Sequence, residues 1–200
     1  MPETLIVNRT SLSAVSDIER VHQFQLSLWS QLGVVDGYLG SGSWIDCSGG
    51  LTLLALHRYS DKESADRGLE EISHHLLSPS GTASGASPVD TIRTETLEAA
   101  GRLQDGLLTS PFVSLTVRIA EPGHQKDLLH AVRDVLLECA VIDGFLGYRI
   151  GASESLKEEI VSLAGWGSYE AFLQSIPTGI VPSVRCFKLA WSTETTPVSS

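Results

Sequence analysis

The sequence predicts an α+β fold in which one unit is used twice, and three observations carry that reading. The run Asp36-Gly37-Tyr38-Leu39-Gly40 recurs as Asp143-Gly144-Phe145-Leu146-Gly147, an offset of 107 residues. The same offset, without a gap, sets Val34-Val35 on Val141-Ile142, Leu53-Leu54 on Ile160-Val161, Leu56 on Leu163, Tyr59 on Trp166 and Glu63 on Glu170. Around both copies, apolar residues switch between the two-residue period of strands and the 3.6-residue period of helices in the same order.

Residues 4–9 read as a strand. Asp17 can cap a helix running to about residue 32, with Ile18, Val21, Phe24, Gln25, Leu28 and Leu32 along one stripe. Gly33 is expected to stop it, and Gly37 to free the turn into a strand over residues 38–45. Cys47-Ser48-Gly49-Gly50 makes a hairpin turn, and residues 51–59 return. Ser60 or Asp61 caps a helix from 62 to about 77, and residues 91–98 close the unit. The second unit repeats this order with strands over 112–120, 145–151, 159–165 and 184–191 and helices over 125–139 and 168–175.

The order β-α-β-β-α-β is that of a ferredoxin-like unit. Two helices cover one face of its antiparallel sheet and leave the other bare. A second copy in the same chain can cover that face. Residues 1–100 and 108–192 are therefore expected to be tandem repeats that close one barrel within the polypeptide, with 193–200 as a tail. The small, polar stretch 78–88 reads as a lid or a tolerated insertion.

Composition narrows the function. The chain has 200 residues, 42% of them hydrophobic, and a net charge of −10. A core is affordable, but clustered cations able to replace phosphate counterions are lacking, so nucleic acid is not the expected partner. No run is long and apolar enough to span a bilayer, and no secretory leader opens the chain, so a cytoplasmic location is expected. Cys47, Cys139 and Cys186 show no metal-ligand spacing and read as buried reduced thiols. Homodimer formation is left open.

The stretch Asp143-Gly144-Phe145-Leu146-Gly147, then Leu163, then Trp166-Gly167-Ser168-Tyr169-Glu170-Ala171-Phe172, resembles the antibiotic-biosynthesis-monooxygenase family of dimeric α+β barrels. The first repeat matches more loosely, with Tyr59-Ser60-Asp61-Lys62-Glu63 in place of the Trp segment. The resemblance covers nearly the whole chain. It implies the barrel fold and a family that includes cofactor-independent anthrone oxygenases, oxygenases using reduced flavin and haem-degrading enzymes; an oxygenase with O2 as co-substrate and no tightly bound cofactor, metal or haem is expected here, with reduced flavin as an alternative source of electrons. The family's oxygenases carry an Asn four residues before the Trp; here Ser162 and Ala55 stand at those positions. Its haem-degrading members carry a His about ten residues after the Trp, where this chain has Ile176 and Leu69.

Strand alternation sets Leu53, Ala55, His57 and Tyr59 on one face, matched by Ile160, Ser162, Ala164 and Trp166 in the second repeat. His57 is the candidate base, able to take a phenol or carbon-acid proton and leave a carbanion to meet O2. Tyr38, Gly40, Gly42 and Trp44 are expected to share a face, a glycine floor between two rings suited to a flat polycyclic ligand. Tyr59 and Trp166 are further walls. His22 and Trp29, seven apart on the first helix, are candidates to line the helix–sheet cavity, and Arg149 offers a cation to an enolate or carboxylate. Most of these groups lie in the first repeat, which is expected to hold the working pocket. The reading is an oxygenase of an aromatic polyketide-type molecule. Its alternatives are a cyclase or isomerase of the same fold and a barrel that binds a small molecule without catalysis.

Overall fold

A computed structural model describes residues 2–76, 86–177 and 184–193. The first repeat comprises β1 (Thr4–Leu12), α1 (Asp17–Leu32), β2 (Tyr38–Asp46), β3 (Thr52–Tyr59), α2 (Lys62–Leu76) and β4 (Ala86–Gly101). The second comprises β5 (Phe112–Ile119), α3 (Gln125–Glu138), β6 (Phe145–Ser153), β7 (Glu159–Trp166), α4 (Tyr169–Gln174) and β8 (Arg185–Ser192). Most of the loop expected over 78–88 and the tail after Thr193 lie outside the described residues.

The eight strands close a barrel in the order β1-β3-β2-β8-β5-β7-β6-β4. Each repeat contributes a ferredoxin-like sheet, and antiparallel β2–β8 and β4–β6 pairings join the two sheets at both edges. Closure leaves no unpaired edge among these strands, which is the usual hazard of an antiparallel sheet.

The repeated Asp-Gly turn has a physical cause. Gly37 and Gly144 hold φ of 82° and 89°, a region where a side chain is strained. Their carbonyls accept the backbone N–H of Ser60 and Gly167, at 2.8 and 2.7 Å, which ties each turn to the end of the following hairpin. Asp61 and Ser168, equivalent in the two repeats, then cap α2 and α4 by accepting the N–H of Ser64 and Ala171. Two expected helix ends differ. Asp17 lies inside α1, its carboxylate accepting the Ala14 N–H, and Gly33 remains right-handed at φ −59°, so the chain reverses at Gly37.

Alternate residues of each strand point inward. Leu5, Val7, Trp44, Leu54, Leu56, Val113, Leu115, Val161, Leu163 and Phe187 fill the barrel. The junction between the repeats fills the rest: two short 3-10 turns, Arg102–Gln104 and Leu107–Thr109, enter the barrel and place Leu103, Leu107 and Leu108 there at 0% exposure. Each such leucine contributes roughly 1.5–3 kcal/mol by burial. Gly165 makes room, since a Cβ there would lie 2.3 Å from Leu103 Cδ1.

Polar groups tie the plug down. Arg58 donates to the Asp105 carbonyl at 2.9 Å, and Arg149 donates to the Leu103 and Gln104 carbonyls at 3.0 and 2.7 Å. Both guanidiniums pair with Glu3. The Trp44 indole N–H reaches the Ser110 carbonyl at 2.9 Å. No described helix is long and apolar enough to cross a membrane.

Candidate functional site: two helix–sheet cavities

The outward faces of the two sheets, beneath the helices, hold one cavity in each repeat. The expected glycine-floored hollow on β2 does not form, because a bulge intervenes. The register shifts between Tyr38 and Gly40, where Gly40 takes φ 135°, so Tyr38 faces Tyr59 on the helix side while Trp44 faces Leu54 inside the barrel. The same bulge at Gly147 (φ 128°) turns Arg149 opposite Leu163, into the interior, where it is 3% exposed and already bound to the plug and Glu3. Trp44 and Arg149 therefore reach neither cavity.

The first-repeat cavity has a volume of about 70 Å³ and is lined by Asn8, Gln25, Leu28, Ala55 and His57, with the Arg9–Asp90 ion pair among its walls. His57 is 1% exposed. Its Nδ1 lies 2.5 Å from Ser41 Oγ, which accepts a hydrogen bond from the Tyr38 hydroxyl at 2.6 Å. Burial pushes the imidazole down to about 4, so it is neutral at pH 7. Asn8 Oδ1 and Gln25 Oε1 are buried without a hydrogen-bond partner. Sequence reasoning missed Asn8 and Ser41; Gln25 was visible only as a polar break in an apolar stripe.

Size decides what this cavity can hold. At about 70 Å³ it is about half the size of an engineered cavity of about 150 Å³ that binds benzene. A base that gives up its proton near pH 4 is also poorly matched to proton abstraction at neutral pH. The other first-repeat candidates pack around this cavity rather than line it. Tyr59 and Trp29 belong to the core between α1, α2 and the sheet, and the His22 ring stacks on Trp191 with centroids 4.2 Å apart. Of the residues singled out in the first repeat, His57 alone lines this cavity.

The second-repeat cavity measures about 420 Å³, within the range of small-molecule sites. Its roof is α3, with Leu128, Val132 and Leu136; its walls include Trp166, Phe172 and Ile176; its floor carries Ser114, Thr116, Ser162 and Ala164 from β5 and β7. Thr116 and Ser162 are direct cross-strand partners, so their hydroxyls share the floor. Trp166 is held by its indole N–H on Ser114 Oγ at 3.0 Å. Arg118, exposed and without an ion pair among the described residues, stands in the lining. The only titratable lining groups among the described residues are Arg118 and Cys139, and burial raises the Cys139 thiol. Ile176 lies in its wall, and no described lining residue is a histidine.

The position four residues before the Trp thus faces a cavity in both repeats: Ser162 in the large one and Ala55 in the small one. In the first repeat the carboxamide next to this position comes from β1 instead, because Asn8 is the cross-strand partner of Ala55.

No family model matches the sequence, and no curated protein compared with it matches. Solved structures do. An anthrone oxidase-like protein superposes with a TM-score of 0.69 over 96% of this chain and 93% of its own, at 13% identity. A protein with a provisional chlorite dismutase assignment gives 0.63 over 95% of each chain, at 10% identity. An uncharacterized ferredoxin fold protein related to antibiotic biosynthesis monooxygenases, from Listeria monocytogenes 4b F2365, gives 0.54 over 95% of each chain, at 9% identity. The chain is a tandem dimeric α+β barrel, with both halves of the dimer in one polypeptide. Likeness at these identities is one of fold, and activity has to be argued from the cavities.

Proposed function

We propose that the protein is an oxygenase-type barrel that takes a small, flat, largely apolar aromatic molecule, of the hydroxylated polyketide kind, into the second-repeat cavity. The observation that carries this reading is the cavity of about 420 Å³ itself, apolar on its roof and walls, with hydroxyls on its floor and in its lining an arginine that has no ion pair among the described residues. Such a lining matches a ring system with an ionisable oxygen at one end.

The chemistry follows from what the lining contains. With no described base in place, the substrate must be acidic in its own right, as a phenol or an activated methylene beside a carbonyl. Desolvation under α3 and the charge of Arg118 favour its anion. The electron-rich carbon then meets O2, and a CH2 becomes C=O while the second oxygen leaves as water. No bound cofactor is needed in this scheme; reduced flavin delivered in trans is the alternative electron source. The nearby anthrone oxidase-like and monooxygenase-related folds support the class without fixing the substrate.

A second reading has its own observation. A cavity without a described acid or base suits binding without turnover better than it suits a cyclase or isomerase, both of which need proton transfer. Incubation with anthrone under ¹⁸O2 separates the readings. Oxygenation gives one labelled carbonyl oxygen per O2 consumed, at a rate that rises with pH as the substrate ionises. Anthrone bound without O2 uptake removes the oxygenase.

A further inference from the structure

We propose that Cys47 and Cys186 are a built pair of thiols that a hydroperoxide converts into a disulfide joining the two repeats. The pairing of Asp46 with Phe187 continues by one residue, so Cys47 at the end of the first hairpin stands opposite Cys186 on β8. The Cys47 N–H donates to the Cys186 carbonyl at 2.9 Å, and both side chains belong to the same apolar cluster. Directly opposed residues of an antiparallel pair have Cα atoms about 4.5–5.5 Å apart, inside the span a disulfide bridges. Neither thiol belongs to the lining of the two cavities.

The two thiols differ in access. Cys186 is buried, while Cys47 is partly exposed and opens onto a surface groove shared with Phe112, Tyr169 and Lys188. Cys47 is therefore the first to react. Its thiolate attacks the peroxide, the O–O bond breaks, an alcohol or water leaves, and a sulfenic acid remains. The Cys186 thiolate then attacks the Cys47 sulfur, the S–O bond breaks, and water leaves. Two thiols and one hydroperoxide become one disulfide, one alcohol and one water. Burial raises both thiols, so the reaction is slow near neutrality and quickens as pH rises. Cys186 is also the cross-strand partner of Ser114 on the cavity floor, which places the bridge one strand from the large cavity.

The test treats the intact protein with hydrogen peroxide and counts thiols after denaturation. The expected titre falls from three to one, with a Cys47–Cys186 peptide found by mass spectrometry under non-reducing conditions and lost on reduction. Cys139→Ser retains the bridge, and Cys47→Ser and Cys186→Ser abolish it while leaving the chain folded. Oxidation of Cys47 to the sulfinic acid without bridging overturns the proposal, as does a link through Cys139 or between chains.

Discussion

The hydroxyl of Ser41 lies 2.5 Å from Nδ1 of His57, and it does so while accepting the proton of Tyr38. The Ser41 proton is then free to point at Nδ1, an arrangement that suits a neutral imidazole with its own proton on Nε2. A fully buried ring held this way resists protonation, and burial brings its value down to about 4.

Stability should record that resistance. The folded value lies below the unfolded one, so the contribution of His57 is intact above about pH 6.5 and is lost as pH falls toward 4. About 3 kcal/mol disappears across that window. Urea unfolding at successive pH values measures it, and His57→Gln should flatten the slope between pH 6.5 and 4. An unchanged slope in that variant assigns the pH dependence to other groups.

Glu3 gives a second pH signature at lower pH. Burial alone would raise its carboxyl, but hydrogen bonds from Arg58 and Arg149 outweigh burial and hold it below the ordinary value. Its contribution is complete above about pH 4.3 and is lost as pH falls through the depressed folded value. Glu3→Ala leaves two guanidiniums at the barrel mouth without their carboxylate and should cost about 2 kcal/mol, reduced from the fully buried case because Glu3 is 29% exposed. Equilibrium unfolding at pH 7 checks the magnitude. A variant as stable as the parent would show that the linker carbonyls suffice.

Gly68 should reverse the usual rule for helices. Replacing an interior helical glycine by alanine normally stabilises by roughly 0.5–1 kcal/mol. Here a Cβ would lie 2.1 Å from the Tyr59 hydroxyl and 2.3 Å from the ring carbon that bears it. Tyr59 is fully buried and cannot swing away, so Gly68→Ala should destabilise by about 1–3 kcal/mol. A raised melting temperature in Gly68→Ala would show that α2 shifts more easily than its packing implies.

Much of the fold was legible because the repeat exposes it. The Asp-Gly turns, the cap at Asp61 and the alternation through Leu53 to Tyr59 are local features, and local chemistry sets them. The bulges at Gly40 and Gly147 were not legible. A single extra residue leaves the apolar pattern of β2 intact while setting Tyr38 and Trp44 on opposite faces. The destination of residues 102–110 was hidden for a related reason: leucines in a linker read as a junction until a barrel exists for them to enter. Cavity size also escapes a sequence. His57, Tyr38 and Trp44 drew attention to the first repeat, whereas the larger of the two helix–sheet cavities lies beneath α3, where small residues such as Ala131, Ser162 and Ala164 leave space and carry little signal.

The placement of the substrate site in the second repeat is tested by filling the two equivalent floor positions separately. Anthrone binding by isothermal titration calorimetry is compared for the parent chain, Ser162→Leu and Ala55→Leu, each verified as folded by circular dichroism. One site per chain is expected in the parent, with affinity reduced at least about tenfold, or 1.4 kcal/mol, by Ser162→Leu and left within about twofold by Ala55→Leu. Loss of binding in Ala55→Leu with retention in Ser162→Leu would return the site to the first repeat and contradict the account.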